Sequence, residues 1–302
     1  MHVIKQAQQM AAVAQRWQSV PSGVPGAGGV RPQGMRRGGR RIGFVPTMGA
    51  LHEGHASLMR AARRETDVVV VSIFVNPLQF GPKEDYTRYP RPLSEDLEVC
   101  RGERTDVVFV PSAGEIYPKG FASVVEVTGV GETWEGKARP GHFRGVTTIV
   151  AKLLHLVQPT VLYLGQKDYQ QALILQQMIR DLGWPIAVRV MPTVREPDGV
   201  AMSSRNRSLR AGLRRQAPVI IRALRLARER IEGGARSAGP LVSLMRRTMR
   251  EANDARIDYV DVVEAATLKP LARLAPGQRV ALLAAVRLGP TRLIDNTLLD
   301  VP

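Results

Sequence analysis

Along this chain the spacing of apolar positions switches back and forth between helical and extended. In Met1–Val20, the residues Val3, Ile4, Met10, Ala11, Ala14 and Trp17 fall near one helical face, which predicts a short opening helix. From Arg41 the pattern alternates. Ile42–Val45 reads as a short strand and His55–Glu65 as a helix. Val68–Val75 is a run dominated by β-branched residues, interrupted at Ser72 and Phe74, the pattern of a strand buried on both faces of a parallel sheet. Leu93–Arg101 reads as a helix, Asp106–Val110 as a strand, and Ser123–Thr128 as a further strand. Val146, Ile149, Val150, Leu153, Leu154 and Val157 repeat at helical spacing. Val161–Leu164, Tyr169–Leu182 and Ile186–Val190 continue the series as strand, helix and strand.

After Val194 the pattern changes. Arg195-Glu196-Pro197-Asp198-Gly199 reads as a turn. Two helices follow, near Arg210–Glu232 and Pro240–Asn253, and then three short strands, Ile257–Val263, Val280–Val286 and Thr291–Ile294. The expected fold class is α/β: a doubly wound, mainly parallel, Rossmann-like sheet, with a second, smaller α+β domain at the C-terminus. The expected boundary places residues 1–193 in the first domain and 194–302 in the second. Within the first, Pro21–Arg40 is almost all Gly, Pro, Arg and small residues, so it reads as a flexible linker that buries no core. Its Gly26-Ala27-Gly28-Gly29 follows no strand and precedes Pro32, which rules out a dinucleotide fingerprint. The cluster Arg36, Arg37, Arg40 and Arg41 reads as a solvated edge.

Composition narrows the class. At 302 residues and 44% apolar content the chain can build a true core. No apolar run is long enough to span a bilayer, and Met1–Val20 lacks a signal-peptide core, so a cytoplasmic protein with no membrane partner is expected. Cys100 is the single cysteine, which excludes an internal disulfide and any multi-cysteine metal site. The formal net charge of +16 raises the question of nucleic acid. The positive charge is scattered, however, and aromatic residues make up only 5%, too few for a stacking surface. An anionic small substrate in an arginine-rich chain is the better reading, with no nucleic-acid partner.

Two distant segments carry the candidate chemistry. Pro46-Thr47-Met48-Gly49-Ala50-Leu51-His52-Glu53-Gly54-His55 reads as strand end, glycine turn and helix start. His52 and His55 are three apart and share a face. Their spacing is not that of a zincin, and no third ligand stands out. Imidazole N–H groups at a helix start suit phosphate oxygens, and Gly49 and Gly54 let backbone come close to a ligand. The second segment, Met202-Ser203-Ser204-Arg205-Asn206, offers hydroxyls and a guanidinium to β- and γ-phosphates, although a serine there equally suits an ordinary helix cap. Between them, Gly165-Gln166-Lys167-Asp168 again follows a strand. Lys167 suits a phosphate, and Asp168 suits either a ribose or a helix cap. Asn76, Gln79 and Gln171 offer carboxamides to a small polar substrate, or equally to loop backbone.

With these segments in view, the chain resembles the pantoate–β-alanine ligase (pantothenate synthetase) family from Ile42 to Asn296. The likeness rests on Pro46–His55, Phe74–Gly81, Tyr86–Arg91, Glu135–Gly145, Gly165–Gln171, Arg195–Arg207 and Thr291–Asn296. The histidine segment looks like the HIGH motif of the nucleotidylyltransferase and class I synthetase superfamily, and the Met202 loop like a degenerate KMSKS loop. The linker at 21–40 departs from the family, whose connection there is shorter. The resemblance implies an AMP-forming ligase of coenzyme A biosynthesis that joins pantoate to β-alanine through pantoyl adenylate and releases pyrophosphate. It implies ATP as co-substrate with Mg2+ on its phosphates, and a homodimer formed by the first domain.

Residue by residue, the resemblance gives His52, His55, Lys167, Ser203, Ser204 and Arg205 catalytic roles. ATP falls to those six together with Met48, Gly49, Gly165, Asp168, Val194 and Met202. Pantoate falls to Met48, Asn76, Gln79 and Gln171, and Asp96 is the protein group assigned to assist the metal. Tyr89, Glu135 and Arg139 fall in matching segments. The rival reading is a nucleotidylyltransferase that stops once the nucleotide is transferred. AMP released only when β-alanine is present separates the two.

Overall fold

A computed structural model describes residues 1–19, 39–82 and 86–302. The chain divides into two compact units, one of residues 1–165 and 171–191, the other of 166–170 and 192–302. Most of the linker reading, including the Gly26–Gly29 run, Arg36 and Arg37, lies outside the described residues. Within it, Arg40 N–H donates to Trp17 O.

In chain order the first unit holds β1 (His2–Ile4), α1 (Ala7–Ser19), β2 (Ile42–Thr47), α2 (Glu53–Glu65) and β3 (Val68–Ile73). It continues with α3 (Leu93–Gly102), β4 (Val107–Phe109), α4 (Ala113–Ile116), α5 (Trp134–Ala138) and α6 (His142–Val157). It ends with β5 (Val161–Gly165), α7 (Tyr169–Asp181, whose first two residues group with the other unit) and β6 (Ala187–Met191). The six strands form one parallel sheet in the order β1-β4-β3-β2-β5-β6.

Both faces of the sheet are covered, and the strand sequences show it. Ile42, Phe44, Val68 and Val70 pack into one core with Met10 of α1, Val146 and Leu153 of α6, and Leu175 of α7. Their neighbours Val45, Val69 and Val71 pack into a second core with Leu58 and Met59 of α2 and Cys100 of α3. Alternate residues of one strand point to opposite faces, so a two-sided strand reads as a nearly continuous apolar run. β3 is buried along its whole length.

The second unit holds α8 (Ala211–Gln216), α9 (Val219–Glu232), α10 (Ala238–Met249), β7 (Ala255–Glu264), β8 (Arg279–Leu288) and β9 (Thr291–Asp300). The strands form an antiparallel sheet in the order β7-β8-β9. Leu224, Ala227 and Ile231 of α9 and Leu241 and Met245 of α10 share a core with Val280, Leu282, Ala284 and Val286 of β8.

Three expectations are corrected. The opening segment is a strand followed by a helix: His2–Ile4 pairs with Val107–Phe109, and only then does α1 begin. Three residues are too few to show a period, and the pairing partner lies far along the chain. Ser123–Thr128 is not a strand. Its backbone is held by side chains of α6: Val125 N–H donates to Thr148 Oγ1 at 3.0 Å, and Thr147 Oγ1 donates to Val125 O. The helix expected over 210–232 is two helices broken at Ala217–Pro218, because proline brings no N–H to continue the ladder.

Candidate active site

The order in which strands are added reverses at β2. From β2 the chain moves outward through β3 and β4, then returns to place β5 and β6 on the other side. Ligands of open parallel sheets bind outside the carboxyl ends of strands at such a switch point. Thr47, Ile73 and Gly165 end β2, β3 and β5 there.

Thr47 fastens two of these ends together. Its hydroxyl donates to Ser72 O at 2.7 Å and accepts from Gly49 N–H at 3.2 Å. Gly49 and Ala50 then both take left-handed backbone, with φ of 81° and 49°. Glycine adopts this without strain, whereas alanine needs its surroundings to hold it. What holds it is Asp96 of α3, only 2% exposed, whose Oδ2 accepts from Ala50 N–H at 3.0 Å and Oδ1 from Leu51 N–H at 2.7 Å. Asp96, assigned above to magnesium, therefore uses both oxygens on this loop.

His52 is the N-cap of α2. Gly54 N–H donates to His52 Nδ1 at 3.1 Å, and His52 N–H donates to His55 Nδ1 at 3.3 Å. The ring centroids are 4.1 Å apart. Because each Nδ1 accepts from backbone, the proton of a neutral ring sits on Nε2. The caps thus turn both imidazoles into Nε2–H donors.

Beside them, Asn76 and Gln79 bracket a 3-10 turn, Pro77–Gln79. Both are buried, at 1% and 9% exposure. Asn76 Nδ2 donates to Gln79 Oε1 and to Gly145 O, each at 3.1 Å, and Tyr117 O–H donates to Asn76 Oδ1 at 2.7 Å. Gln79 Nε2 reaches Met48 Sδ at 3.0 Å. Gly145 must be glycine for this packing, since a Cβ there would lie 2.3 Å from Leu78 O. Arg139 Nη1 meets His142 Nε2 at 3.0 Å, and a guanidinium only donates. His142 Nε2 therefore accepts, and its Nδ1–H donates to Gln79 O at 2.9 Å. Arg139 also pairs with Glu135 at 3.5 Å. Tyr89 is buried and meets Phe80 edge-on.

The first unit thus brings Met48 to Gln79 and Asn76, and His52 to His55 four residues further along the Met48 loop, with Arg139 and Glu135 bracing the turn. Gln171 lies in the first turn of α7, half-buried. Sequence reading missed Tyr117, which fixes the Asn76 carboxamide, and His142, which holds the Gln79 backbone. Their only signal was position inside or near a matching segment.

In the second unit, Asn296 of β9 holds the Gln166–Lys167 backbone. Its Nδ2 donates to Gln166 O at 2.9 Å and Lys167 O at 3.0 Å, and its Oδ1 accepts from Gln166 Nε2 at 3.2 Å. Lys167 Nζ pairs with Asp168 at 3.2 Å. The Met202 loop is rooted by a short antiparallel pairing. Met202 N–H donates to Val194 O at 3.0 Å, and Arg195 bridges Ala201. Arg195 forms a two-pronged bond to Asp295, at 2.7 and 3.0 Å. Asn206 Nδ2 donates to Glu196 at 2.6 Å. Arg214 grips Glu196 and Asp198, and its guanidinium holds the Asp198 carboxyl below the usual range. Ser203 Oγ accepts from Arg205 N–H at 3.3 Å and caps the 3-10 turn Ser204–Ser208. Sequence reading placed Arg195, Asp295 and Asn296 in matching segments but gave them no role.

A parallel sheet whose strand order reverses beside a histidine-capped helix defines the class, a Rossmann-like α/β protein. Comparison with known proteins narrows it. The family model described as Pantoate-beta-alanine ligase matches residues 23–298. A pantothenate synthetase from Moorella thermoacetica is 53% identical over 266 residues, covering 88% of this chain and 93% of its own. A crystal structure of the pantothenate synthetase from Thermus thermophilus superposes with a TM-score of 0.87 at 43% identity, covering 100% of this chain and 99% of its own. The Francisella tularensis pantoate–β-alanine ligase, complexed with β-γ ATP and β-alanine, gives 0.75 at 34% identity, covering 99% and 97%. The chain belongs to the pantoate–β-alanine ligase family.

Proposed function

We propose that this chain condenses pantoate with β-alanine in two half-reactions at ATP. A carboxylate oxygen of pantoate attacks the α-phosphorus, the bond to the β-phosphate breaks, and pyrophosphate leaves. The amine of β-alanine then attacks the acyl carbon of pantoyl adenylate. The acyl–oxygen bond breaks, AMP leaves, and the ammonium proton passes to solvent. The ATP-dependent condensation is the reaction of this family. A free carboxylate is a poor acyl donor, so the adenylate supplies the leaving group. The protein's share is positioning and charge stabilisation.

The observation that carries this reading is the pair of capped imidazoles on the loop whose Met48 meets the buried carboxamide of Gln79. His52 and His55 donate to phosphate oxygens as charge builds during displacement. Gln79, Asn76, Gln171 and Met48 take the hydroxyls and carboxylate of pantoate. Lys167 meets the α-phosphate. Ser203, Ser204 and Arg205 hold the departing pyrophosphate, with Met202 and Val194 beside the base. Gly49, Gly165 and Asp168 contact the nucleotide. Magnesium enters as part of MgATP, bound chiefly through phosphate oxygens and water. A homodimer through the first domain and a cytoplasmic location complete the reading. No helix among the described residues is long and apolar enough to cross a membrane.

The test is incubation with ATP, magnesium and pantoate, with and without β-alanine, followed by mass analysis. Pantothenate and AMP should appear together, and only with β-alanine. Pyrophosphate with no amide product would overturn the ligase reading in favour of nucleotidyl transfer alone.

A further inference from the structure

We propose that Asp96 is a positioning residue for adenylate formation, acting by locking the loop that aims the two imidazoles, and that it is not a magnesium ligand. The inference rests on the reading above.

Consecutive backbone N–H groups that converge on one point form a concavity, a backbone nest, that ordinarily receives an anion. Here Gly49 and Ala50 make the nest, and the N–H groups of Ala50 and Leu51 converge on the Asp96 carboxylate at 3.0 and 2.7 Å. The protein supplies its own anion, so this nest is closed to a phosphate. Approach to the nucleotide falls to the next residues along the loop, the imidazoles. The connection is short. Leu51 precedes His52, and His52 N–H donates to His55 Nδ1, so a shift at Leu51 reaches both rings. The contact has no slack either, because a Cβ on Gly49 would lie 2.8 Å from Asp96 Oδ2. At 2% exposure the carboxylate is paired to backbone and faces away from bulk water. An asparagine there can accept only one of the two N–H groups. Its amide would face the other donor to donor and turn the loop.

The experiment is Asp96→Asn, followed by pantoate-dependent pyrophosphate release across ATP and magnesium concentrations, per folded molecule. We expect kcat to fall about 10–100-fold, the scale of a misplaced catalytic group, with KM for ATP within about threefold. The magnesium concentration for half-activation should stay where it is in the wild type. Backbone amide exchange at Ala50 and Leu51, slow in the wild type, should quicken in the variant. If excess magnesium restores the rate, Asp96 is a metal ligand and the proposal fails. A kcat within twofold of wild type also ends it, leaving a scaffold role only. Should Asp96→Asn fail to fold, Asp96→Glu, which keeps the charge but displaces both oxygens by one methylene, must show the same kcat-selective loss. Amide exchange needs no substrate, so failure of the loop lock and failure of the ligase reading are told apart.

Discussion

The histidine loop of the first unit and the serine–arginine loop of the second are braced in different ways. Asp96 grips the first from beneath, at the residue before His52. The second is tethered at its ends, by Arg195 to Asp295 and Asn206 to Glu196, with Ser203 capping the turn between. A loop braced beside its functional group holds a fixed geometry. A loop tethered at its ends keeps its root while the middle can adjust around a ligand. Static donors for a transition state suit the first design, and a clamp that closes on a leaving group suits the second.

The largest effects should come from groups that act on charge. Lys167→Ala, His52→Ala and His55→Ala should each cost about two to four orders of magnitude in adenylation. Lys167→Ala should leave the melting curve unchanged, whereas the two histidine variants also lose the α2 cap and about 1 kcal/mol of stability with it. A loss of a few-fold would make those side chains structural.

Next comes the root of the second loop. Asp295 is 4% exposed, and Asp295→Ala strands the Arg195 guanidinium. It should destabilise the second unit by about 3 kcal/mol, read by urea denaturation or hydrogen exchange on β9. No change would mean that this pair does not tether the loop.

Ser203→Ala and Ser204→Ala should have smaller consequences, on the scale of a neutral hydrogen bond at about 1 kcal/mol, or roughly tenfold at most. Pyrophosphate inhibition, compared across the two variants, separates capping from ligand binding. Equal weakening by both favours direct contact, whereas an effect of Ser203→Ala alone favours the cap.

The smallest effect concerns pH. The Asp198 carboxyl is held below its ordinary value by its hydrogen bond to Arg214. Its contribution to stability is therefore complete above the unfolded value of about 3.9 and is lost as pH falls through the lower folded value. Acid titration of unit-two stability should show this slope, and Arg214→Leu should flatten it. An unaltered slope in that variant would show that the pair contributes nothing.

How legible the molecule was in sequence varies from element to element. Val68–Ile73 was plain because four consecutive valines leave no polar alternation to suggest an exposed face, and Ser72 comes only near the strand's end. His52 and His55 were plain because a strand end, a glycine turn and a helix start lie within ten residues. β1 was hidden, since its three residues acquire meaning only against Val107–Phe109. Ser123–Thr128 misled, because alternation marks an extended chain whether its partner is a strand or a pair of threonines.

By itself the sequence determined the alternation of elements, the two apolar faces of the sheet and the chemistry-bearing side chains, all of which depend on near neighbours in the chain. Only the tertiary structure decided what holds those side chains. Asp96 lies more than forty residues beyond the loop it grips, Gly145 comes against Leu78, and Asn296 reaches back to Lys167. Such bonds depend on distances in space, and no local period in the chain encodes them.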